Sequence, residues 1–334
     1  MLQNEILCYW NLLETNQQPR GTTSCAFARS ENKLIIVGGN SQRISYNDTY
    51  SFDLETHQWD KIKTSGEFLS VRIGHTISLY NNSVWLFGGY DGEMRNDIFI
   101  LDLKTHIWRK LPQPKVVPKA RLGHTSVVFE DTMIIFGGWN SNAFLDDLWQ
   151  FSFKDKTWKE LETTGKAPTS RNGHHSVMIS SYEMVIFGGR NEKFERINDL
   201  YILDLKKMEW TEILALNEKP KGRAGGSLIQ IDDSNLLVFG GKSEPYEFLS
   251  DCWIFNLISR CWTKLEPLGF EPRGRAGHCH IYDSDSRSLF VFGGGRILEE
   301  NKDDYFWETL QLKFEKDIVE DFWNFLNLKQ LCDF

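Results

Sequence analysis

No run of about 18 apolar residues occurs in this 334-residue chain, so no segment reads as a membrane-spanning helix. The opening residues, MLQNEILCYW, lack the basic stretch and long apolar core of a secretory leader. Basic residues are outnumbered, 38 Lys and Arg against 46 Asp and Glu, giving a net charge of −8. Gripping phosphate backbones needs the opposite balance, so nucleic acid is not an expected partner. No C-x-x-C pair exists among Cys8, Cys25, Cys252, Cys261, Cys279 and Cys332. Disulfide frameworks belong to short secreted chains. Cys8, Cys25, Cys252 and Cys279 stand in apolar strand contexts and are expected to be reduced core residues. These absences together point to a cytoplasmic protein, with a nuclear location also open.

What is present is repetition. Six four-residue apolar runs, such as Val84-Trp85-Leu86-Phe87, each end in a diglycine, beginning at Gly38, Gly88, Gly137, Gly188, Gly240 and Gly293. Those positions are spaced by 50, 49, 51, 52 and 53 residues. A fixed period of this size marks stacked units that bury their faces against one another. Apolar runs without alternation fit strands buried on both faces, and the diglycine is expected to end each one. No helix pattern or P-loop lysine follows, so these glycines are not a phosphate cradle.

Three more strand signals accompany each run. Before it come Arg72-Ile-Gly-His75, Arg121-Leu-Gly-His124, Arg171-Asn-Gly-His174, Arg275-Ala-Gly-His278 and the variant Arg223-Ala-Gly-Gly226, with Arg20-Gly-Thr-Thr23 as a weaker first copy. Four of these arginines have a proline three residues earlier, at Pro118, Pro168, Pro220 and Pro272, which suits entry into a strand. After the run comes an aromatic and β-branched segment, such as Asp97-Ile-Phe99-Ile-Leu101, and then Trp-x-x-Leu/Ile at Trp59, Trp108, Trp158, Trp210 and Trp262. The sixth unit lacks that tryptophan. Trp10-Asn-Leu-Leu13, 49 residues before Trp59, supplies it from the other end of the chain. The N-terminal strand, residues 8–14, is therefore expected to complete the last unit and close the ring.

These signatures resemble kelch repeats over about residues 8–314. The resemblance implies an all-β, six-bladed β-propeller of four-stranded antiparallel blades, here a domain of residues 1–314. Ile318, Val319, Phe322, Trp323 and Leu326 then recur at helical spacing, predicting an amphipathic helix over 315–334 that packs on the propeller. The period is too long for WD-type propellers.

Kelch proteins often bind through the face that carries the loops between second and third strands. Aromatic and arginine residues, the types enriched at interface hot spots, gather in those loops. The candidate partner-binding residues are Tyr90, Arg95, Trp139, Asn140, Arg190, Arg196, Lys242, Tyr246 and Arg296. The last loop is longest and holds Glu299, Glu300, Asp303 and Asp304 beside Tyr305, Phe306 and Trp307. It is a candidate contact or lid, or a cover for the closure seam.

No catalytic, metal or cofactor constellation is legible. His75, His124, His174 and His278 recur with the repeat and should spread around a ring instead of clustering as ligands. Nitrile-specifier proteins, plant kelch enzymes, place iron on Glu-x-x-x-Asp-x-x-x-His; here Glu299 and Asp303 are followed by Trp307 where histidine should stand. Galactose-oxidase-like copper chemistry lacks its histidines on the loop face, and no Gly-x-Ser-x-Gly elbow occurs. The expectation is a non-enzymatic module that binds a protein partner, with no cofactor and no membrane insertion. It is similar to stand-alone kelch proteins of the Rab-effector and host-cell-factor types, and, with no BTB or BACK region in these residues, a cullin-adaptor architecture is not expected. The alternative is a small-molecule enzyme, a nitrile-specifier-like lyase or a sugar isomerase, acting at the central cleft.

Overall fold

The computed structural model describes residues 6–20, 23–299 and 302–315. Within them the chain forms six four-stranded antiparallel blades. In blade 2 the strands, from the centre outward, are Thr76–Tyr80, Ser83–Tyr90, Met94–Asp102 and Ile107–Lys110. The apolar run is the second strand, and Val84, Leu86 and Phe87 are wholly buried. Alternate residues of such a strand face the two neighbouring blades. Leu86 joins a core cluster with Ile35 and Val37 of blade 1, while Phe87 joins one with Met133 and Ile135 of blade 3. Each blade therefore needs both neighbours, which is the physical content of the unbroken apolar run.

The ring closes as the missing tryptophan requires. Strand Cys8–Leu13 pairs antiparallel with Thr309–Phe314, the third strand of blade 6, with Trp10 opposite Leu312. Trp10 is buried and its ring lies 4.9 Å from that of Phe239 in blade 5. On the inner side, six backbone hydrogen bonds of 2.7–2.9 Å run from blade to blade. Gly74 N donates to Ser24, Gly123 to Gly74, Gly173 to Gly123, Gly225 to Gly173, Gly277 to Gly225, and Ser24 to Gly277. A chain of six donors that returns to its start is a closed six-membered ring.

Those bonds correct the register of the first repeat. Ser24 occupies the place that the motif glycine holds elsewhere, and it does so at φ +57°. Thr23 bridges Asn40 as Ile73 bridges Tyr90. The residue equivalent to His75 is thus Cys25, not Thr23, and Arg20 stands two residues short of the motif arginine's place. Sequence spacing alone favoured Arg20 because arginine is the most conspicuous letter of the motif.

The diglycine does not end the second strand in every blade. In blades 2, 3 and 5 it forms a bulge, and the strand resumes as far as Tyr90, Trp139 and Glu244. In blades 1, 4 and 6 the strand stops before it. Blades 2, 4 and 6 also gain a two-residue parallel strand on their outer edge, at Ser65–Gly66, Thr164–Gly165 and Leu268–Gly269.

Cys25 and Cys279 are joined as a disulfide. This overturns, for these two, the expectation of reduced core cysteines. The two lie 254 residues apart in sequence, and ring closure alone makes them neighbours. Cys8 and Cys252 are buried in one core cluster, as expected, and burial pushes the Cys8 thiol up to about 12. The helix expected over 315–334 lies outside the described residues, apart from Glu315.

Candidate functional site

One feature of the repeat braces the loop face from below. The motif arginine of each of blades 2 to 6 is buried and grips an acidic residue within or just before the third strand. Arg171 is typical: it donates to both oxygens of Asp199 at 2.7 and 2.9 Å and to the carbonyl of Gly188 at 3.0 Å. Arg121 with Asp147 and Arg223 with Asp251 repeat the arrangement, and Arg275 donates to one oxygen of Glu308 at 2.7 Å. Burial pushes the Asp147 and Asp251 carboxyls up, but the arginine hydrogen bonds and charge outweigh it and leave both below the ordinary value. The clamps tie first strand, diglycine and third strand together beneath the loops. Sequence shows the arginines and acids separately; only the fold pairs them, across 25 to 33 residues.

Above this frame, at the mouth of the central channel, lies a cavity of about 360 Å³. It sits off-centre. The second motif residues are bulky in blades 2 and 3, Ile73 and Leu122, and smaller at Thr23, Asn172, Ala224 and Ala276. The cavity opens over the smaller ones. Of the nine candidate residues, the fold brings Arg190, Arg196, Lys242 and Arg296 into its wall.

Three of these form a cationic wall. Arg190 lies over the rings of Phe144 and Phe194, at 5.2 and 5.1 Å. Lys242 lies over Phe248 at 5.2 Å, and Arg196 donates to the Phe194 carbonyl at 3.1 Å while its Nε is buried without a partner. Burial first, and then Arg196, lowers the proton affinity of Arg190; burial, Arg196 and Arg190 do the same to Lys242. Among the described residues no carboxylate lies within ion-pair distance of these three side chains. Arg296 differs, since its Nε donates to Asp304 at 3.1 Å. The long loop forms a hairpin, Gly295–Glu299 with Lys302–Tyr305, and contributes Asp303 and Tyr305 to the far wall.

The other five candidates stand apart from the cavity. Arg95 is held by Asp91 at 2.8 Å and Glu93 at 3.2 Å. Asn140 caps its own turn by accepting from the backbone N–H groups of Asn142 and Ala143. Trp139 is half-buried, and Tyr90 and Tyr246 are exposed on their hairpins. Sequence reasoning missed Asn172, Phe248 and the contribution of Thr23 and Ser24. The signal for Asn172 was available: it is the one polar residue at the second position of a complete Arg-x-Gly-His motif.

Deeper in, His75, His124, His174, His175, His278 and His280 line a channel cavity of about 560 Å³. The repeat-equivalent histidines do spread around the ring, but two others converge. The rings of His175 and His280 lie 6.4 Å apart, and His278 lies 6.1 Å from His280. Their first strands, from blades 4 and 6, approach within the channel, a proximity invisible in sequence. Burial pushes His175 down to about 4 and His280 to about 3, so both are neutral at neutral pH. Among the described residues, no group of three or more His, Cys, Asp or Glu is placed to hold a metal. No helix among them is long and apolar enough to cross a membrane.

A family model described as the KLHDC2/KLHL20/DRC7 Kelch-repeats domain matches residues 21–241. The mouse protein "Kelch domain-containing protein 1" is 36% identical over 112 residues, 33% of this chain and 27% of that one. The human "Kelch domain-containing protein 3" is 28% identical over 270 residues, 78% of this chain and 57% of that one. A Thlaspi arvense protein, "N-(sulfonatooxy)prop-2-enimidothioate sulfolyase", is 31% identical over 113 residues, 34% of this chain and 32% of that one. The matched segments span only 16% to 27% of the first curated relatives' own lengths.

Proposed function

The chain belongs to the kelch-repeat family, and from that membership we propose that it is a non-enzymatic module binding a protein partner through the loop face. The partner presents an acidic segment to the cavity over blades 4 to 6. One observation carries this reading: Arg190, Arg196 and Lys242 stand partly buried beside one another, and among the described residues no carboxylate lies within ion-pair distance of them. Like charges held together out of water are unfavourable, and a bound anion relieves both the repulsion and the lost hydration. The aromatic rings behind them offer apolar contact next to the charge. Tyr90, Trp139 and Tyr246 provide further contact area at the rim of the same face.

A lyase reading draws on the partial similarity to the sulfolyase. Against it, Trp307 stands, 60% exposed, where the specifier motif has histidine. The experiment is a peptide array of matched acidic and neutral sequences, probed with the full chain at two salt concentrations. Acidic peptides are expected to bind selectively and lose affinity in high salt. Arg196→Ala and Lys242→Ala should each weaken binding about tenfold, or ~1.4 kcal/mol. Equal binding of acidic and neutral peptides, or unchanged binding by both variants, would overturn the reading.

A further inference from the structure

Along the inside of the ring, the fourth motif residue of one blade reaches the residue that follows the motif in the preceding blade. His124 meets Thr76 and His174 meets Thr125, each through Nε2 and Oγ1 at 2.9 Å. At the seam between blades 6 and 1, the same two places hold Cys25 and Cys279. Their Cα atoms lie 6.9 Å apart and their sulfurs are bonded. A hydrogen bond that recurs elsewhere is thus replaced, at the one seam where the ring closes, by a pair of thiols.

We propose that Cys25 and Cys279 form a thiol-responsive latch that locks the propeller ring. Without it, the ring is closed by non-covalent contacts alone: the pairing of Cys8–Leu13 with blade 6, the Ser24–Gly277 backbone bond and the core shared by blades 6 and 1. With it, the inner strands of the first and last blades are covalently tied across 254 residues, whether or not the N-terminal strand is in place. Access is one-sided. Cys25 is half-buried and lines the channel, whereas Cys279 is wholly buried. Exchange therefore enters at Cys25.

Glutathione disulfide, a small disulfide oxidant, closes the latch. The Cys25 thiolate attacks one of its sulfurs, breaking that S–S bond and releasing one glutathione thiolate. Cys279, as thiolate, then attacks the Cys25 sulfur of the mixed disulfide and releases the second. The two cysteines lose two electrons and two protons, which end on two glutathione thiols. Reduced glutathione opens the latch by the reverse steps.

The test holds the native full-length chain in buffers of fixed reduced-to-oxidised glutathione ratio. Samples are quenched in acid, alkylated in denaturant and mapped by peptide mass, with thermal midpoints measured in parallel. Cys25 and Cys279 should be protected together in oxidised buffer and alkylated together in reduced buffer, with the midpoint several degrees lower. Cys261→Ser should keep that shift and Cys25→Ser should abolish it. Alkylation of both cysteines in oxidised buffer would overturn the latch, as would a bond that survives the most reducing buffer. A broken bond with an unchanged midpoint would overturn its role in closure.

Discussion

Replacing Trp10 with alanine should open the ring where the chain ends meet, and the size of the effect follows from its surroundings. Trp10 is 3% exposed, pairs with Leu312 and packs on Phe239 across the boundary between blades 6 and 5. Truncating a buried aromatic side chain costs about 3–5 kcal/mol, and the lost ring pair adds roughly 0.5–1.5 kcal/mol. With an unfolding entropy of about 2.1 cal/mol/K per residue, 334 residues give roughly 0.7 kcal/mol/K. A loss of about 4–6 kcal/mol then lowers the melting midpoint by roughly 6–9 °C. Leu12, two residues along and 52% exposed, is the internal control, since its alanine variant should change stability by less than about 0.5 kcal/mol. Calorimetry or tryptophan fluorescence in reducing buffer makes the comparison, because there the Cys25–Cys279 bond cannot hold the ring. Deleting residues 1–13 should cost more than Trp10→Ala, as the whole strand is lost. Equal shifts for Trp10→Ala and Leu12→Ala would refute the argument that this strand closes the blade by burying Trp10.

Two further outcomes follow from buried groups and tight backbone. Burial pushes His75 and His280 down to about 3 and His175 to about 4, while the unfolded chain protonates near pH 6.5. The unfolded state therefore binds more protons below pH 6.5. Stability is full above that pH and falls as pH drops toward the folded values, by up to about 1.4 kcal/mol per pH unit for each histidine. Urea midpoints at pH 7, 6 and 5 should decline, less steeply in His280→Gln, and a flat profile would exclude neutral buried imidazoles. Among the glycines, Gly137→Ala should cost more than Gly123→Ala. Both sit near φ +65°, but a Cβ at Gly137 meets the Arg171 carbonyl at 2.9 Å and His174 Cε1 at 3.0 Å, whereas at Gly123 the nearest atom is 3.4 Å away. The shared left-handed strain is about 1–2 kcal/mol, with overpacking adding roughly 1–3 at Gly137 alone, and equal melting of the two variants would count against it.

Legibility in the sequence tracked the range of the interaction. The diglycine runs and the spaced tryptophans report local strand burial, and they located every blade, including the one completed by Trp10. The first motif misled because Arg20 matches a letter while Ser24 and Cys25 match a place. The backbone bonds of Ser24 around the ring and the Thr23–Asn40 bridge reveal that place. Among the nine candidate site residues, composition singled out aromatic and cationic side chains as a class. It could not tell Arg95, neutralised four residues away by Asp91, from Arg190, whose neighbours Phe144 and Arg196 come from two blades.

By itself, the sequence determined the period, the strand order, the six blades and the need for an N-terminal strand to finish the last. Those are consequences of residue-by-residue patterning, in which each apolar run must find cover on both faces. The tertiary structure decided which distant residues meet: the arginine clamps within each blade, the off-centre basic cavity, the converging His175 and His280, and the Cys25–Cys279 bond. The clamps join positions 25 to 33 residues apart within one blade, whereas the histidines and the cysteines, up to 254 residues apart, meet because the blades curve into a closed ring; no local pattern encodes either.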